Sequence, residues 1–294
     1  MLVKEILAFL ESTDNKYSFR GNTNLEIDGY CSLTSVSNNK ITWIKKLEDN
    51  KDYSFLNGTN VVVINSSQGL SNDINLIITD TPKKVFFDIL NTLFEKKEKR
   101  AISSESVILT KRIGNNVSIG PNCFIDKDVE IGDDVTISSN VVLKNKVRIG
   151  NRVSIQSLTT IGEDGFGYFE TEDGVKTMVK HHGGVIIEDD VFISTHVNIA
   201  RGTLDDTIIR SGTKIAPSSH IGHNCIVGHN VTIICSELFG SVVVGDNSYI
   251  SKATIKNQIK IGKNVIVGMG SVVLKDVPDN VVVVGIPAKF LRNN

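Results

Sequence analysis

Three of the chain's six histidines crowd into Ser219-His-Ile-Gly-His-Asn-Cys-Ile-Val-Gly-His-Asn230. Imidazole is the side chain that exchanges a proton near neutral pH without help from its surroundings. Asp205 and Asp206 fall about one coil earlier once the repeat described below is counted, so either could stand over the ring of His223. A carboxylate there would orient the imidazole and favour the tautomer whose other nitrogen accepts a proton. Acyl transfer to an amine asks for such a base, because an ammonium cannot attack a thioester and a proton must leave as the bond forms. It also asks for a donor to the tetrahedral oxyanion. The backbone N–H of Gly240, about one further coil along, is a candidate, and other corner glycines could serve equally. A solvated surface histidine is the plainer account of any one of the three.

What must position these groups is a repeat. Apolar residues recur every six positions at Val107, Ile113, Ile119, Ile125, Ile131, Ile137, Leu143, Ile149, Ile155 and Ile161. Six suits neither a helix face nor simple strand alternation, but it fits a short strand and a turn, three units closing one coil of 18 residues. Gly, Asn and Asp after the repeated residue mark corners that need unusual backbone angles. Val117, Cys123, Val129 and Val135 are the smaller inward partners. The period breaks at Gly162–Gly184, a loop carrying Phe166, Tyr168 and Phe169, and a long loop in a monotonous solenoid points to binding. It resumes at Ile187, stumbles near Leu204, runs from Ile209 to Phe239, stumbles again, and ends with Ile261, Val267 and Val273. His223 and His229 fall on corners of this prism.

Residues 1–100 lack the period and read as a small α/β domain. It has an opening helix (Leu2–Leu10), strands around Leu25–Ser32, Ile41–Ile44, Val61–Ile64 and Leu76–Thr79, and a closing helix from Pro82 to Lys99 behind Thr81 as N-cap. The run Glu95–Arg100 reads as a solvated helix end. The repeat domain spans 101–276 with the inserted loop 162–184, and 277–294 is a C-terminal tail. The class is mainly β. The 294 residues are 40% hydrophobic and carry a formal net charge of -1, which leaves no basic excess for nucleic acid or an anionic membrane. No signal peptide or spanning segment opens the chain, so a cytoplasmic location is expected. Cys31, Cys123, Cys225 and Cys235 have no metal or disulfide spacing and read as small buried hydrophobes; no metal is expected.

Through Leu33-Thr-Ser-Val36, Ile41-Thr-Trp43, Ile161-Gly-Glu-Asp-Gly-Phe-Gly-Tyr168, Arg201-Gly-Thr-Leu-Asp-Asp-Thr207 and Ile221-Gly-His-Asn224, the chain resembles the UDP-3-O-acylglucosamine N-acyltransferases of lipid A biosynthesis. The resemblance implies a left-handed parallel β-helix, a homotrimer with active sites between subunits, and a catalytic base at His223. It implies an aromatic at Trp43 packed on the uracil of a nucleotide sugar. Phe166, Tyr168 and Gln258 are the further substrate-binding candidates. Gln258 stands where that family has a second active-site histidine, and Ala200 where it has Asp.

The last stretch, Val267-Gly-Met-Gly-Ser-Val-Val-Leu-Lys-Asp-Val-Pro278 and Val284-Gly-Ile-Pro-Ala-Lys289, looks instead like coenzyme A-dependent sugar acetyltransferases of the hexapeptide type. Gly268 and Gly270 would admit a pantetheine arm, Pro287 would shape the turn, and Lys275 and Lys289 would meet phosphate. The favoured expectation is therefore an N-acetyltransferase using acetyl-CoA on a UDP- or dTDP-linked amino sugar. The alternatives are a lipid A N-acyltransferase fed by acyl carrier protein, and a non-catalytic β-helix scaffold.

Overall fold

A computed structural model describes residues 1–48, 51–68, 70–95 and 100–294. The chain divides into two units, Met1–Glu98 and Lys99–Asn294.

In the first unit, the helix Val3–Glu11 turns Val3, Ile6 and Leu10 inward at helical spacing. The five-stranded sheet runs Ser18–Arg20, Asn75–Ile78, Val61–Ile64, Lys40–Trp43, Gly29–Tyr30. Its first pair is antiparallel and the rest are parallel. Val61–Ile64 is buried throughout, as the middle strand of a covered parallel sheet should be. The second helix begins at Pro82, with Thr81 in the N-cap position but making no side-chain cap bond. It is shorter than the sequence suggests: after Ile89 the chain widens into a π turn, Leu90–Phe94. The remainder of the expected helix, with Lys96, Lys97, Glu98 and Lys99 of the charged run, lies outside the described residues. The strand Ser18–Arg20 escapes sequence reading because it is short and polar, and only its pairing with Asn75–Ile78 fixes it.

The second unit is a three-sided β-helix whose parallel ladders form three stacks of strands. The first face runs from Ser118–Ile119 to Val281–Val284, the second from Val107–Ile108 to Val272–Val273, and the third from Glu130–Ile131 to Lys260–Ile261. Coil stacks on coil with a step of 18 residues, Ile119 on Ile137 and Ile137 on Ile155. Each coil adds a layer of Ile and Val to a single dry core, each side chain contributing roughly 1.5–3 kcal/mol by burial. Asn and Asp at the corners take left-handed φ, among them Asn116, Asp134, Asn140 and Asn224.

Three details differ from the six-residue count. At the start, Ile108 rather than Val107 stacks inward on Ile125, and Val107 is exposed. The unit after Ile233 has five residues, so Leu238 is buried and Phe239, counted as inward, faces out at 44% exposure. The stretch 277–294 is no tail. Val281–Val284 continues the first face on Ile266–Val267, and Lys289–Asn293 folds back on it as an antiparallel strand, because four consecutive valines have a strand edge to cover. Cys123 and Cys225 are buried as expected, and burial pushes the Cys225 thiol up to about 12, while Cys235 is exposed on a corner. No helix among the described residues is long and apolar enough to cross a membrane.

Candidate functional site

The corner between the second and third faces carries the solenoid's two long insertions. The inserted loop leaves after Thr160–Ile161 and returns at Val185–Ile187, so it occupies this corner. One coil on, between Asn198–Ile199 and Thr207–Ile209, the corner is widened by Ala200–Asp206. The next coils place His223, then Gly240, then Gln258 on the same edge. His229 lies on the other side of the third face and hydrogen-bonds Ser211 Oγ at 2.8 Å, apart from this group. His220 points out from the second face, its Nδ1 3.0 Å from Asn198 Oδ1, and burial pushes its pKa down against the opposing pull of Glu237.

The expected carboxylate over His223 is not what holds the ring. His223 Nδ1 lies 2.9 Å from Oδ1 of Asn224. Asn224 has a left-handed φ of 59°, which turns its side chain back beside its neighbour. Its amide orientation is fixed from outside: Oδ1 accepts from the backbone N–H of Thr203 at 3.1 Å and Nδ2 donates to the carbonyl of Asp205. An oxygen that accepts from a backbone N–H can only accept from the ring too, so Nδ1 carries the hydrogen and Nε2 is the free base. Asp205 is exposed and contributes its carbonyl, not its carboxylate; Asp206 accepts from the N–H of Gly184 at 2.6 Å. The widened turn explains the difference, since extra residues at 200–206 carry both carboxylates off the register that a regular coil would give them.

Nε2 faces Gly240. A Cβ on Gly240 would stand 2.5 Å from His223 Nε2, so only glycine fits there. The Gly240 N–H donates to no backbone acceptor among the described residues. His223, Gly240, Gln258 and Phe166 line one cleft of about 270 Å³ together with Phe239, Ser241 and Asn257. Tyr168 packs edge-on against Phe166 at 5.9 Å on the exposed hairpin Tyr168–Glu170/Lys176–Met178 but does not line the cleft.

The loop is anchored to the same corner. Arg201, buried, donates through Nε to the carbonyl of Gly183 at 2.6 Å and lies 3.8 Å from Asp164. Backbone bonds tie His182 to Thr203 and Gly183 to Gly202. His181, passed over in the sequence, ends up with its ring centroid 5.2 Å from that of His223. Its signal was only a pair of adjacent histidines at the end of a polar loop.

In the first unit, Trp43 is half-buried, stacked near Phe86 and Phe87, and lines a cleft of about 490 Å³ with Tyr30, Leu33 and Lys45. Thr42 Oγ1 in that wall is buried without a hydrogen-bond partner. Of the five residues expected to hold coenzyme A, Gly268, Gly270, Pro287 and Lys289 lie on successive coils of one corner, with Val284, the pairing partner of Lys289, against Gly268 and the Gly285–Ala288 turn bonded to Val272, while Lys275 lies apart. Gly268 and Gly270 turn the corner between the first and second faces, and Lys275 lies on the His223 edge one coil beyond Gln258. Pro287 and Lys289 belong to the final hairpin, and all but Gly268, which bonds back to Val283, are exposed. No cluster of three metal-ligating side chains occurs among the described residues.

A family model described as bacterial transferase hexapeptide (six repeats) matches residues 110–145 and 128–163, and one described as hexapeptide repeat of succinyl-transferase matches 242–275. The UDP-3-O-acylglucosamine N-acyltransferase of Campylobacter lari is 36% identical over 238 residues, 76% of this chain and 74% of that one. That of Methylobacillus flagellatus is 40% identical over 235 residues, covering 72% and 67%. The match to UDP-3-O-acylglucosamine N-acyltransferase 2 of Rhodopseudomonas palustris, also 40% identical, spans 45% of this chain and 36% of that one. Among solved structures, LpxA, a UDP-N-acetylglucosamine acyltransferase from Bacteroides fragilis, superposes with a TM-score of 0.59 at 24% identity, over 65% of this chain and 74% of that one, and shares the left-handed parallel β-helix.

Proposed function

Because this chain belongs to the UDP-3-O-acylglucosamine N-acyltransferase family of hexapeptide-repeat acyltransferases, we propose that it transfers an acyl group from a carrier-protein thioester to the amine of a UDP-linked, acylated glucosamine. The observation that carries the proposal is the locked tautomer of His223, with Nε2 turned to the cleft at Gly240. In the reaction the amine nitrogen attacks the thioester carbonyl carbon while Nε2 takes the N–H proton. The Gly240 N–H meets the oxyanion. The intermediate collapses, the carbon–sulfur bond breaks, and the thiolate leaves with the proton returned from His223. An amide and a free thiol result.

Gln258 and Phe166 flank the reacting centre, and Trp43 offers an aromatic face to the nucleotide base. The prism corner is open on its own protomer, so a homotrimer in which a neighbouring subunit supplies the facing wall completes this proposal. The enzyme of this proposal is cytoplasmic, in keeping with the expectation from the sequence.

The relatives turn the balance from acetyl-CoA towards the carrier protein. A competition assay tests it, with purified protein, UDP-3-O-acylglucosamine, a hydroxyacyl carrier protein and acetyl-CoA. Amide formation from the carrier is expected. Turnover with acetyl-CoA alone would restore acetyl transfer, and none with either donor would favour a scaffold.

A further inference from the structure

Beside His223 stands a second imidazole that the transfer chemistry leaves unused. His181 is 1% exposed, and its ring meets that of His223 edge-on, at 74° between planes. Its Nδ1 lies 3.1 Å from the carbonyl of Val179. A carbonyl only accepts, so Nδ1 carries the hydrogen and Nε2 holds a lone pair. That Nε2 is buried with no hydrogen-bond partner. Leaving a buried acceptor unpaired is costly, which calls for a reason.

The reason lies in what Nε2 faces. The point where a Gly165 side chain would begin is 2.9 Å from His223 Cδ2 and 3.0 Å from His181 Nε2. Glycine at 165 lets the two rings close to 5.2 Å between centroids, with His181 Nε2 and the edge of His223 both against the same bare backbone. When His223 takes the proton of the amine it becomes a cation beside this electron-rich nitrogen, which is itself shut off from water. Of the other ionisable groups around the pair, Asp164 accepts the His181 backbone N–H and faces Arg201, Asp206 is bonded to Gly184 and Asp205 is exposed, while His220, on the second face beside Glu237, is near enough for its positive charge and that of His223 to oppose one another.

We propose that His181 is a positioning residue for the base: its unshared Nε2 favours the imidazolium that His223 becomes, and its ring holds His223 against Gly240. This rests on His223 acting as the base, but its test needs no substrate, so its failure is distinct from an absence of turnover. Protein labelled with ¹⁵N in its histidine rings is titrated by NMR from about pH 5 to 9, a span centred on the ordinary histidine range. The His223 signal is assigned by its loss in His223→Gln. In His181→Phe, which keeps a ring without an acceptor, and in His181→Ala, His223 is expected to titrate lower than in the wild type. His181→Gln, which keeps an acceptor, should stay near the wild type. Melting curves identify the variants that fold. An unchanged His223 titration in whichever of the Phe and Ala variants folds would overturn the proposal. So would a wild-type spectrum showing His181 Nε2 protonated at neutral pH, a result that depends on no variant.

Discussion

His223 Nδ1 and Asn224 Oδ1 are 2.9 Å apart, and the two residues are neighbours in the chain. The base therefore brings its own orienting group with it, and the neighbouring coil, through Thr203, fixes that group in turn.

Asn224→Ala should lower turnover about tenfold or more, the loss of roughly 1.4 kcal/mol that one oriented hydrogen bond can supply. Asp205→Ala should remain near the wild-type rate, since only its carbonyl is used. Steady-state kinetics of the two variants decide this. Equal losses would return the orienting role to the carboxylate.

Replacing the base itself should cost far more. His223→Ala is expected to lose about 10²–10⁴-fold in turnover while melting as the wild type does. His229→Ala, on another corner and bonded to Ser211, should lose little.

Gly240→Ala probes the space before Nε2. The added methyl would meet Nε2 at 2.5 Å, so the ring must turn away or the methyl must occupy the place of the amine. A fall of about 100-fold or more is expected, from blocked proton transfer, with circular dichroism unchanged. Near-normal turnover would mean that the amine approaches from another side.

Much of this was legible in the residues and some was not. The run Ile113 to Ile161 announces the prism because the core demands the same kind of residue at the same place in every unit. His223 and Gly240 were readable together because corners of one edge recur at a fixed interval, while Phe166 and Gln258 were reached through the family resemblance. The partner of His223 was not, since counting faces assumes equal units and the turn at 200–206 is longer than the count allows. Phe239 failed for the opposite reason, a unit one residue short. His181 could not be placed at all, because a loop outside the repeat obeys no register. Among the coenzyme A candidates, Lys275 falls on a different corner from Gly268, Gly270, Pro287 and Lys289, a separation that motif matching by residue type does not reveal.

Acid should unfold the solenoid in two stages. Burial lowers the His220 pKa, so the unfolded chain binds that proton more readily and stability falls as pH drops through about 6.5. The Asp246 carboxylate is held low by the His229 backbone N–H and by Lys263, and Asp189 by the Asn151 backbone N–H. These contribute stability above the ordinary carboxylate value of about 3.9 and lose it as pH falls below that towards their folded values. Melting temperatures between about pH 7 and 3 should show both declines, and His220→Gln should flatten the first alone.

The stacking of Ile119, Ile137 and Ile155 at steps of 18 residues gives the prism a reading frame in space. Removing one whole coil upstream of the loop, such as residues 126–143, would shorten the molecule by one strand spacing, about 4.8 Å, and return every later side chain to its own face. Removing six would turn everything beyond the cut by a third of a revolution relative to what precedes it. A lineage of such proteins can thus lengthen or shorten by coils without disturbing its chemistry, while a lesser change in length must be absorbed where the frame is already broken, in loops such as 162–184.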